Sequence, residues 1–281
     1  MKFYTILLPT GLAVSTVLAV SHSAQAASFT TNFTPNPADP KKDIFLESIT
    51  QNGVRLTNFN YVNGANIVRN KGITNRSFGA ASTDRGDEAT NPDGLSPKEN
   101  LVAGNAADGK AVATYLGNNN LNNIIDTEDD GFFTLDLTFT DQIVANSNGT
   151  DSLFFWERGG NADLVVQALD NSGNLIGRSF RITRNRWTSA GFSIDTTETT
   201  GAQPVGSYGV SFADLGLNSS SVISGIRLIS ESNYRGPDFK VIAASAAVSE
   251  PATILGLGSI AALALVRRRQ IRKKSLWKSS F

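Results

Sequence analysis

The chain has 281 residues, with 25 basic and 25 acidic side chains, 40% hydrophobic residues, no cysteine and one histidine, His22. Without thiols there is no disulfide, thiolate nucleophile or thiolate-bound metal, and with His22 in a removable leader the body also lacks an imidazole for triad or zinc chemistry. Every acidic residue lies between Asp39 and Glu250, where 17 basic residues face 25 acidic ones, a net charge of −8 that disfavours general nucleic-acid binding.

The N-terminus reads as a secretory signal peptide over residues 1–26. Lys2 supplies the positive start, Ile6 to Val20 is mostly apolar, and Ala24-Gln25-Ala26 gives the small-x-small pattern for cleavage before Ala27. The apolar run of about 15 residues spans only about 22 Å as a helix, short of the ~30 Å of hydrocarbon a membrane anchor must cross. A Sec-type export machinery is the partner this segment implies.

Residues 27–247 read as one all-β body, an antiparallel β-sandwich of jelly-roll-like type built from two sheets. Residues 82–123 are rich in Asn, Asp, Gly and Pro and predict long loops. The clearest strand is Phe132 to Phe139, where Phe133, Leu135, Leu137 and Phe139 share one face and Thr134, Asp136 and Thr138 the other. Leu153 to Glu157 and Asp163 to Leu169 follow. Asp170-Asn171-Ser172-Gly173 then supplies the turn of a hairpin into Asn174 to Thr183. Arg186 to Asp195, Tyr208 to Ala213, Ile223 to Ser230 and Phe239 to Ala244 complete the run. No segment shows a long helical period.

Four places in the body carry candidate chemistry. Asp126, Glu128 and Asp130, with Gly131 at the sixth position, have the oxygen spacing of a weak calcium loop, although Leu137 stands where a bidentate Glu belongs. A solvated acidic turn is the plainer reading, and calcium is the only cofactor this sequence suggests. Glu157, after Trp156, is the carboxylate a histidine-free glycoside hydrolase would need, with Asp163 as its partner; an ion pair with Arg158 and a core tryptophan are the duller account. Arg178, Arg184 and Arg186 share strand parity, so a regular strand would make them a basic stripe able to meet an acidic polysaccharide or a phosphate, with cross-strand charge pairing and solubility as the duller explanation. Arg85-Gly86-Asp87 spells an integrin-binding tripeptide of very low specificity. Tyr61, Tyr115, Tyr208, Tyr234, Trp156 and Trp187 are the aromatic candidates for stacking on a glycan, most of them expected to be core or ordinary surface.

The C-terminus is the most specific feature. Ala252 to Val266 is a 15-residue run without charge, preceded by Glu250-Pro251 and followed by Arg267-Arg268-Arg269, which holds that end in the cytoplasm by the positive-inside rule. It predicts a short transmembrane helix over 252–266 and a basic cytoplasmic tail over 270–281. The segment Val248-Ser249-Glu250-Pro251-Ala252-Thr253-Ile254-Leu255-Gly256-Leu257, with the helix and arginines behind it, resembles the PEP-CTERM sorting domain of exosortase-dependent bacterial surface proteins. Ser249 replaces the first proline of that signature, and twelve residues follow the arginines.

The resemblance spans residues 248–269, with Ser249, Glu250, Pro251 and Ala252 as its motif. It implies a membrane-held precursor, an exosortase as processing partner, and release to the cell surface. The segments Phe154 to Asp163 and Gly236 to Ile242 also resemble the β-rich bodies of such proteins. The expected function is a non-enzymatic structural or adhesive component of the surface or the extracellular polysaccharide matrix. A carbohydrate-binding module is the alternative, and a carboxylate-only hydrolase the third reading.

Overall fold

A computed structural model describes residues 28–71, 82–92, 109–127, 131–196 and 200–245. Among them the chain is all-β and sandwich-like, with fifteen strands in three antiparallel sheets and one short helix.

The predicted strands are present with small shifts of boundary. Strand β8 (Phe132–Val144) runs five residues beyond the expected end, and β9 (Leu153–Arg158), β10 (Leu164–Leu169), β11 (Leu175–Ile182), β12 (Thr188–Ile194), β13 (Gln203–Val210), β14 (Val222–Ser230) and β15 (Phe239–Ala244) follow. β10 and β11 form the expected hairpin across Asp170 to Asn174, whose Asp170 N–H donates to the Asn174 carbonyl at 2.9 Å.

The first half adds β1 (Thr30–Thr34), β2 (Phe45–Gln51), β3 (Val54–Leu56), β4 (Phe59–Asn60), β5 (Val62–Lys71), β6 (Ser82–Arg85) and β7 (Asn123–Asp126). β2 and β3 are joined by Asn52-Gly53 with φ of 51° and 78°, the left-handed pair that a two-residue hairpin turn demands. Where long loops were expected over 82–123, the structure places β6 and a two-turn helix, α1 (Gly109–Leu116). Val112, Tyr115 and Leu116 give that helix a buried face at i, i+3 and i+4 spacing.

The sheets stack in three layers rather than two. One outer sheet has the order β11-β10-β14-β8-β5, and the central sheet runs β12-β13-β9-β15-β7-β6, with β4 also paired to β15. Between them lies the main core, where Phe133, Leu135, Leu137 and Phe139 of β8 meet Phe155, Phe239 and Val241. The third sheet, β1-β2-β3, covers the other face of the central sheet with Phe33, Leu46 and Ile49 against Phe154, Trp156 and Ile242.

Burial on both faces explains why β9 and β15 contain no exposed residue and lack the alternation of β8. The solvent face of the outer sheet is polar, and Arg227 meets Asp136 directly across β14 and β8 at 2.6 and 2.7 Å.

Candidate functional site: the charged end of the sandwich

Three connections converge on one end of the molecule: residues 159–163 after β9, 183–187 after β11 and 231–238 after β14. Asp163 N–H donates to the Tyr234 carbonyl at 2.9 Å, Arg184 Nη2 to the Asn233 carbonyl at 3.0 Å, and Trp187 Nε1 to the Ala162 carbonyl at 2.7 Å. The two segments singled out in the sequence, Phe154 to Asp163 and Gly236 to Ile242, are neighbours here, with Glu157 opposite Phe239 in the β9–β15 register.

Strand alternation sends Arg158 and Glu157 to opposite faces of the central sheet. The Arg158 side chain is 2% exposed. Its Nη2 donates to Asp126 Oδ1 and Asp238 Oδ2, both at 2.8 Å, and its Nε reaches the same Asp238 oxygen at 3.0 Å. Asp84 Oδ2 lies 3.4 Å from Nη1, which also donates to Thr196 Oγ1. Burial alone would favour the neutral guanidine, but Asp238, Asp126 and Asp84 outweigh it and hold the group charged. Backbone donors complete the arrangement, with Thr127 N–H at 2.9 Å from Asp238 Oδ1 and Arg85 N–H at 2.8 Å from Asp84 Oδ1.

Asp126 therefore serves as an ion-pair partner of Arg158. Glu128 and Asp130 lie outside the described residues, among which no three Asp, Glu, His or Cys side chains group as a metal site.

Glu157 is 1% exposed. Its Oε2 accepts from the Asn161 N–H at 3.1 Å, while Oε1 is buried without a hydrogen-bond partner among the described residues. Burial, with the Asp238 charge adding to it, pushes this carboxyl well above the usual range.

Asp163 has the opposite environment. Burial alone would raise it, yet it accepts from Arg184 N–H at 2.5 Å, Arg184 Nε at 3.1 Å and Arg181 Nη2, and these bonds hold it below the ordinary carboxylate value. One carboxyl pushed up and one held ionised is the pairing that acid–base chemistry uses. Here both are enclosed by protein, and the ionised one is clamped by two guanidinium groups.

The arginine stripe does not form as expected. β11 ends at Ile182, so Arg184 and Arg186 sit in the following turn, and parity along the strand no longer applies to them. Arg178 turns away to donate to the carbonyls of Asp214 and Ala213 at 2.8 and 3.2 Å. Arg85-Gly86-Asp87 is folded into the body: Arg85 is 4% exposed and donates to the Ala89 carbonyl and Tyr115 Oη, and Asp87 meets Lys41 at 3.4 Å. Of the six aromatic candidates Tyr115, Tyr208 and Trp156 are buried, whereas Tyr61, Tyr234 and Trp187 are half-buried.

Lys240 went unnoticed in the sequence and is fully buried. Its Nζ donates to the Tyr115 carbonyl at the end of α1 at 2.6 Å and to Asn118 Oδ1 at 3.1 Å. Burial lowers its pKa well below the usual lysine value. Its signal was a lone charge inside the apolar run Phe239-Lys240-Val241-Ile242. Asp151, also missed, lies at the far end of β9, where Gln51 Nε2 donates to its Oδ2 at 2.7 Å. A separate open depression of about 610 Å³ lies between β5 and α1, beside Ala65, Lys110 and Thr114.

The motif Ser249, Glu250, Pro251 and Ala252, the cluster Arg267, Arg268 and Arg269, the helix over 252–266 and the cleavage residues Ala24, Ala26 and Ala27 all lie outside the described residues. Within the described residues no helix is long and apolar enough to cross a membrane. No family model matches the chain, and no curated protein or solved structure matches it either.

Proposed function

We propose that the protein is an exported surface or extracellular-matrix component, sorted through residues 248–269 by an exosortase, with a structural or adhesive β-rich body. The observation that carries the reading is the order of Glu250-Pro251, a 15-residue uncharged run and three arginines, placed directly behind the body. The last described strand, β15, ends at Ala244, four residues ahead of Val248.

The mechanism is topological. The signal peptide starts passage through the Sec-type machinery, the apolar run halts it with the arginines inside, and cleavage near Glu250-Pro251 releases the acidic body. The non-enzymatic reading draws support from Glu157 and Asp163, whose carboxyls are closed off in core and ion-pair contacts rather than presented in a cleft.

Intact mass of the protein from its native cells, in membrane and extracellular fractions, tests the proposal. A species running from Ala27 to about residue 250 outside the membrane is the expected result. Recovery only of chain extending to Phe281 in the membrane would overturn it.

A further inference from the structure

The body is acidic overall, yet four arginines gather at its charged end, Arg181 near the end of β11 and Arg184, Arg186 and Arg235 on the two touching connections. Arg181 and Arg186 are exposed, Arg184 is half-exposed, and Arg235 stands exposed beside Tyr234. The carboxylate that answers them is Asp163, itself buried. Glu231, on the same connection, is paired with Arg69 of β5 at 2.8 Å. Set against Asp163 alone, these four arginines leave three positive charges, while the buried Arg158 cluster behind them adds one guanidinium and the three carboxylates of Asp84, Asp126 and Asp238.

The corner is also built to stay in place. Arg184 ties the 183–187 turn to the 231–238 connection through Asp163 and the Asn233 carbonyl. The Arg181 guanidinium lies 4.2 Å above the Tyr234 ring, and that of Arg186 lies 5.6 Å from the Phe180 ring centre, with Nη1 3.4 Å from Tyr208 Oη. Neither Arg186 nor Arg235 has a carboxylate partner among the described residues. The guanidinium forks of Arg181, Arg184 and Arg186, held in this way, match carboxylates in a planar, two-bond geometry, and half-buried Tyr234 and Trp187 add ring faces to this end.

We propose that this corner, formed by Arg181, Arg184, Arg186, Arg235 and Tyr234, binds an acidic, carboxylate-bearing polysaccharide. The inference rests on the reading of the protein as a surface or matrix component and names the class of polymer its body meets. An anionic bilayer fits less well. The large exposed apolar side chains, Phe45, Val68, Leu175 and Val222, all lie on other segments and offer nothing to insert at this end. The acidic remainder of the body would repel an extended membrane surface or a nucleic acid, while a single flexible strand can touch the corner alone.

The test uses the full chain in neutral detergent, with its seven basic residues after Pro251 changed to glutamine so that the tail contributes no charge. Binding is measured to polygalacturonate, neutral dextran, phosphatidylglycerol vesicles and single-stranded DNA. The expected result is binding to polygalacturonate but not dextran, weakening with salt, and about tenfold or more weaker in Arg186→Gln/Arg235→Gln. Among the described residues these two carry no ion pair, and the fold of the double variant is checked by its unfolding midpoint.

Equal affinity in the double variant, equal binding to dextran, loss of binding on neutralising the tail, or preference for vesicles or DNA would each overturn the assignment. Polymer binding and tail cleavage are read separately, so failure of one is distinguishable from failure of the other.

Discussion

Trp156 Nε1 donates to Thr31 Oγ1 at 2.9 Å, a buried bond between the central sheet and the third layer across 125 residues of sequence. Phe29 packs edge-on to the same indole with ring centres 5.5 Å apart. Thr31→Val keeps the shape of the strand but leaves the indole N–H unsatisfied in an apolar setting. Urea unfolding should show a loss of about 1–3 kcal/mol. An unchanged midpoint would mean that the third layer adds nothing through this bond.

Arg158 and Asp238 predict a larger effect. Asp238→Asn removes the carboxylate that both Nε and Nη2 contact but leaves Asp126 and Asp84 to answer the guanidinium. Removing Arg158 instead strands buried carboxylates without their cation, a break that costs about 3–5 kcal/mol. Arg158→Met should destabilise at neutral pH and recover on acidification, because it leaves Asp84, Asp126 and Asp238 together without a cation. A midpoint that does not rise between pH 7 and pH 5 in that variant would contradict the account.

Asp151 gives a pH dependence. Burial raises its carboxyl to about 6, with the Gln51 hydrogen bond opposing and Asp214 reinforcing the rise. The folded chain therefore keeps a proton through a window, about pH 4 to 6, in which the unfolded chain has already released it. Stability attributable to this residue is greatest at the acid side and falls as pH rises through the window, by up to about 3 kcal/mol. Asp151→Asn should flatten that part of the profile when unfolding is compared at pH 4.5 and 7.5.

Lys240 has the opposite sign. Its lowered pKa means that, below the ordinary lysine value, the unfolded chain binds more protons than the folded one, so stability rises with pH toward the ordinary lysine range. Lys240→Met should stabilise the protein at pH 7 by on the order of 1 kcal/mol or more, since the Tyr115 carbonyl keeps a donor from Asn118 Nδ2 at 3.3 Å. The gain should shrink by pH 10. A destabilised Lys240→Met would show that the ammonium bonds outweigh the burial cost.

Period-two patterning in Phe132 to Phe139 made β8 legible because one of its faces meets solvent. The same rule could not show that β9 and β15 face two cores, since a strand covered on both sides loses alternation. The covering residues come from short strands in the first half, where Asn52-Gly53 was the available turn signal. α1 was missed because two turns are too few for a helical period to stand out.

At the site, Asp126, Glu157 and Asp163 were visible as carboxylates, but their partners were not. Arg158 and Asp238 stand 80 residues apart, and only the sheet register makes them neighbours. The arginine stripe failed because parity was carried past Ile182, where the strand stops.

β15 has β9 on one side and β7 with β4 on the other, yet it is the last described strand. A chain made from its N-terminus must hold this central slot open until residues 239–244 arrive. Until then the edges of β9 and β7 are unpaired, and an extended segment from a second chain could enter the gap. Closure of the sheet is thus a late event, set by how quickly the final strand reaches a partly assembled body.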